Sequence, residues 1–160
     1  MITSAGFVLA DLIFPVFMMY FFPPLLGIIA AANLVIDAIV FFAALRFLNM
    51  KMKNRVGVLL GLWALGLVAD MTGSLFLVFP LTIHNPLMNS LIDYYSIYSS
   101  PLTVILISIA ILVAALIIYW MDLVVLKKRI PLSQARRIAL IFAIVTAPYT
   151  YLIPTNWFYH

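Results

Sequence analysis

A chain of 160 residues is long enough for one ordinary soluble domain, yet 67% of its residues are hydrophobic and only 9% are charged. Soluble domains carry ~25% charged and ~45 to 50% apolar residues, so this composition excludes a water-soluble fold and needs a bilayer as solvent. The absence of cysteine removes disulfides, thiolate metal centres, iron-sulfur clusters and a cysteine nucleophile. The net charge of +4 comes from basic residues gathered around two loops, where membrane topology explains them better than a nucleic-acid partner.

A hydrocarbon core of ~30 Å takes about 20 helical residues to cross, and helices satisfy their own backbone hydrogen bonds in lipid. The apolar runs predict an all-α polytopic transmembrane bundle in a single domain, with five segments at about 5–22, 25–48, 56–79, 102–126 and 134–153. The first segment is short and holds Asp11 and Pro15, so a re-entrant course competes with spanning. It carries no basic residue ahead of its apolar run and no signal-peptide pattern, and is read as part of the mature protein. Pro23 and Pro24 separate it from the second segment, because proline lacks the amide donor and biases the preceding residue away from helix.

Arg46, Lys51, Lys53 and Arg55 surround the link between segments two and three. Lys127, Lys128, Arg129, Arg136 and Arg137 surround the link between four and five. Alternating helices put both links on one side, and the positive-inside rule predicts that side to be cytoplasmic, in a cell membrane. The carboxyl terminus and the link near His84, Asn85, Pro86 and Asp93 are then outside. Tyr94, Tyr95, Tyr98, Tyr149, Tyr151 and Trp157 are expected to form an aromatic belt at the outer headgroups. Asp93 reads as a solvated loop residue, and neither His84 nor His160 reads as a haem or metal ligand.

Lipid tails are as apolar as leucine, so close contact between small residues holds membrane helices together. Gly57, Gly61, Gly66 and Gly73 on segment three supply such a face, as do Thr103, Ala110 and Ala114 on segment four and Ala139, Ala143, Thr146 and Thr150 on segment five. The same stripes suit an interface with further copies or with other membrane subunits.

All five acidic residues are aspartates, and Asp11, Asp37, Asp70 and Asp122 fall inside predicted segments. A charge at mid-bilayer costs ~2.5 to 3.5 kcal/mol on insertion scales, so such groups face a partner or a water-filled cavity. Counting at 1.5 Å per residue puts Asp11, Asp37 and Asp70 at one depth, ~15 to 18 Å below the outer boundary. Asn33 shares the face of Asp37 one turn away, and Thr72 and Ser74 stand near Asp70. Without a basic side chain at that depth, close carboxyls hold protons, grip a cation, or lean on neighbouring helices. Oxygen ligands suit a hard cation, although no cofactor is evident. Asp122, just before Lys127, is expected to pair with a snorkelling base at the interface.

Three functional classes follow: a proton- or cation-coupled transporter or channel component, acting as an oligomer; a non-catalytic subunit of a larger membrane complex, with the aspartates as helix glue; and an intramembrane aspartyl hydrolase or lipid-modifying enzyme. The enzyme class lacks its signatures. Asp70 follows Gly66-Leu67-Val68-Ala69, not the Gly-x-Gly of presenilin-like proteases, and the single Asn33-x-x-x-Asp37 is too little for an Asp-rich Mg²⁺ motif.

Overall fold

In the computed structural model, residues 15–82 and 90–157 are described. Asp11, His84, Asn85, Pro86 and His160 lie outside them. The regular structure of the described residues is all helix, with no strand. Four α-helices follow in order: α1, Pro23–Phe47; α2, Arg55–Thr82; α3, Pro101–Leu126; and α4, Leu132–Val145. Short 3₁₀ helices lie at Val16–Phe21, Ile97–Ser99, Tyr149–Leu152 and Thr155–Trp157.

The helix ends are set by local chemistry. Pro23 opens α1, where the missing amide costs nothing. Asn49 closes it with φ 49°: Met50 N–H donates to Leu45 O at 2.9 Å and Asn49 N–H to Arg46 O at 3.2 Å, the paired bonds of a Schellman end. Asn54, φ 55°, precedes α2 and its side-chain oxygen accepts from Gly57 N–H at 3.3 Å. Ser100 caps α3 by accepting from Thr103 N–H, with Pro101 at the first helical position.

Among the described residues, α1, α2 and α3 are the three helices long and apolar enough to cross a membrane, and their bounds match the second, third and fourth predicted segments to within three residues. The other two segments differ from the straight spans expected. α4 stops at Val145 because Pro148 cannot continue the ladder, and Thr146 turns its hydroxyl back on Phe142 O at 2.9 Å, which competes with the backbone at that turn. The chain then runs through a break into the 3₁₀ helix Tyr149–Leu152. Of the first segment, the described part forms only the six-residue 3₁₀ helix Val16–Phe21.

α2 packs most extensively on α3, and α3 on α4. α2 and α3 are in tight contact at Gly73, where a methyl group would stand 3.3 Å from Ala110 O, from Ala114 Cβ and from the Tyr151 ring. Gly57, by contrast, is exposed, and a methyl on Gly61 would meet nothing among the described residues within 4 Å. The inner glycine pair therefore lies off the helix contact, and the small-residue seam runs through Gly73, Ala110 and Ala114 instead. One apolar core, around Phe41, Leu62, Ile118 and Phe142, fills the end near the two basic links. A second, around Phe17, Leu77, Ile107 and Tyr151, fills the opposite end.

Candidate functional site

Between these two cores lies a polar layer. Asp70, on α2 and 2% exposed, accepts two hydrogen bonds on Oδ2: from the Tyr20 hydroxyl at 3.2 Å and from Asn33 Nδ2 at 3.1 Å. Asp70 Oδ1 is buried without a hydrogen-bond partner among the described residues. Three elements thus meet at one carboxyl: the first 3₁₀ helix, α1 and α2.

Asp37, 5% exposed, sits one turn further along α1. A methyl group on Gly66 would lie 3.8 Å from Asp37 Oδ2, so this carboxyl rests on the glycine side of α2. The two aspartates are consequently one helical turn apart in depth, since Asp70 is level with Asn33 and Asp37 with Gly66. That corrects the single shared level expected from counting, because the ends of α1 and α2 are not in register.

Tyr20, Asn33, Asp37 and Asp70 line a cavity of about 170 Å³ together with the break in the last segment, residues 145–150. Residues at and beyond the end of α4 thereby form one wall of the space that the carboxyls line. Behind it, Ser74 is fully buried; its hydroxyl donates to the Asp70 main-chain carbonyl at 3.0 Å and stands 2.9 Å from the Tyr151 hydroxyl. Tyr151 also donates to that carbonyl, and its ring packs edge-on against Tyr20 at 5.9 Å. Ser74 and Tyr151 fix the backbone that carries Asp70, and do not touch its carboxyl.

Of the residues singled out from sequence, Asn33, Asp37, Asp70 and Ser74 converge. Thr72 does not: it is exposed and donates to Val68 O on its own helix at 2.8 Å. Tyr20 and Tyr151 were missed. Tyr151, 1% exposed, and Tyr94, 6% exposed, are core residues and leave the expected aromatic belt, because each phenol finds a buried carbonyl. Tyr94 donates to Leu77 O at 3.1 Å; burial pushes its phenol up to about 12, so it remains a donor through the physiological range. Tyr95, Tyr98, Tyr149 and Trp157 are exposed and remain suited to a belt.

Asp122 also departs from expectation. It is fully buried, and among the described residues neither carboxyl oxygen has a hydrogen-bond partner. All nine lysines and arginines are exposed, so the expected pair with a snorkelling base does not form; four residues from the end of α3, Asp122 points into the bundle. Asp93 is more than a solvated loop residue: its Oδ1 accepts from Tyr95 N–H at 2.9 Å and Ser96 N–H at 3.0 Å, shaping the turn before α3. Among the described residues, no three histidine or carboxylate side chains gather to hold a metal ion.

Comparison with protein-family models, with curated proteins and with solved structures returned no match.

Proposed function

We propose that this chain is a small multi-pass membrane protein that handles protons at Asp70 and Asp37, as a proton-coupled transporter or channel component. The observation that carries this reading is the cavity in which two buried carboxyls, Asn33 and Tyr20 share a wall with the broken last helix. Non-helical backbone at membrane depth is tolerated where it is buried in protein or lines a water-filled space, and half-broken helices beside polar groups recur at transporter binding sites. Donors on Asp70 favour a proton over a metal: a hydroxyl and an amide N–H face Oδ2, whereas a hard cation would be met by acceptors. Asp70 Oδ1, buried with no partner among the described residues, is the atom we assign as the one that takes up and releases the proton.

In this reading the three long helices span, the first and last segments fill the outer half around the cavity, and both basic links are cytoplasmic. An 18.0 kDa bundle offers little room for a private pathway, so it acts as an oligomer or beside other membrane subunits. Purified protein in liposomes loaded with a pH-sensitive dye tests this. Wild type is expected to pass protons down an imposed pH gradient, and Asp70→Asn and Asp37→Asn are each expected to abolish that flux while the protein remains helical and monodisperse. Flux unchanged in both variants, or none in the wild type, would overturn the assignment.

A further inference from the structure

We infer that Asp122 is a third proton-carrying carboxyl, linking the Asp70–Asp37 cavity to the basic end of the bundle. The inference rests on the proposed function and extends it from a site to a path.

Position along the helices comes first. Asp122 lies four residues from the basic end of α3, Asp37 ten from the basic end of α1, and Asp70 fifteen from the basic end of α2. At 1.5 Å per residue the three carboxyls stand at roughly 6, 15 and 22 Å along their own helices from the basic end of each. They form a ladder with steps of ~7 to 9 Å, which intervening water can bridge and which side-chain motion shortens. Asp37 is the middle rung, within electrostatic reach of both others.

The second observation is independent of that spacing. Both oxygens of Asp122 are buried with no hydrogen-bond partner among the described residues, in a helix whose other buried residues are apolar apart from Thr103 near its far end. A carboxyl acting as helix glue must have something to bind, because an unpartnered buried polar group costs ~1 to 3 kcal/mol and gives nothing back. The charged groups at this end make the same point: Asp37 on α1 acts on Asp122 electrostatically, while Arg46, Lys51, Lys53, Arg55, Lys127, Lys128, Arg129, Arg136 and Arg137 are all exposed. Buried polar groups left unsatisfied in a native bundle occur where function holds them. Here that function is to take one proton from Asp37 through water and pass one on to the basic end, each carboxyl returning to its starting state.

Leu62, Ile118 and Phe142 belong to the apolar core at this end of the bundle, so on the proposed path water enters only transiently. The same liposome assay decides between the outcomes. Asp122→Asn is expected to lower proton flux at least ~10-fold, since a positioned acid–base group is lost, and Asp122→Glu to retain most of it. Infrared spectra should contain the C=O band of a protonated carboxyl that shifts in Asp122→Glu and moves on transfer to D₂O as fast as protons flow. Wild-type flux in Asp122→Asn, with Asp37→Asn and Asp70→Asn inactive, would overturn the path but leave the outer site. A band that does not exchange would likewise overturn it. A wild type that passes no protons would remove the outer site and the path together. If Asp122→Asn does not assemble, the decision passes to Asp122→Glu and the exchange measurement.

Discussion

The carboxyl of Asp70 accepts two donors on one oxygen, and this sharing makes a sharp energetic expectation. Interhelical hydrogen bonds in membranes contribute ~0.6 kcal/mol on average. Tyr20→Phe and Asn33→Leu should therefore each destabilise the protein by about 0.5 to 1.5 kcal/mol in denaturant titrations from mixed micelles. The double variant should depart from additivity by about 0.5 kcal/mol or more, because both residues serve Oδ2 and the second loss strands it. An additive double variant would mean that the two donors bind Asp70 independently. Asn33 was legible in the sequence because it shares a helix face with Asp37, but its partner was not: the side chain four residues away is a neighbour along the helix, while the bond is made across to α2. Tyr20 and Tyr151 were illegible for another reason. A tyrosine near a helix end suits the headgroup layer and a buried carbonyl equally well, and only the fold-back of the flanking 3₁₀ helices decides.

Among the elements, α1, α2 and α3 were readable because their length, uniform apolarity and capping residues all point the same way. α4 was not, because Thr146, Ala147 and Pro148 sit inside an apolar run whose composition alone resembles a span; the proline's missing donor and the threonine's back-bond matter more than hydropathy there. The glycine pattern was half legible. Spacing marks four candidate contacts on α2, but which of them face α3 depends on the crossing, and the crossing selects Gly73. Gly73→Ala should cost about 1 to 3 kcal/mol, because backbone at Ala110 and the Tyr151 ring must give way. Gly61→Ala should change stability by less than ~1 kcal/mol, since its methyl meets open space. Equal sensitivity at the two positions, measured by unfolding in the same micelles, would place the helix contact elsewhere.

At the scale of the whole molecule, the charge distribution makes an orientation that experiment can read directly. The nine basic residues are exposed and flank the α1–α2 and α3–α4 links, while the turn around Asp93 and the carboxyl-terminal 3₁₀ helices are tied together at the other end by Asn156 N–H to Tyr95 O at 3.1 Å and Thr155 Oγ1 to Tyr94 O at 3.2 Å. A polar cavity midway between two apolar cores fits a path only if those two ends face different compartments. Because the chain has no cysteine, single-cysteine variants report sidedness without background. Lys53→Cys and Lys128→Cys are expected to resist a membrane-impermeant maleimide in intact cells and to react after permeabilisation, following the positive-inside bias. Tyr98→Cys and Trp157→Cys, both at exposed positions, are expected to react in intact cells. Labelling of all four from one side would mean that the chain does not separate its ends across the bilayer, and the carboxyl ladder would then have no gradient to work against.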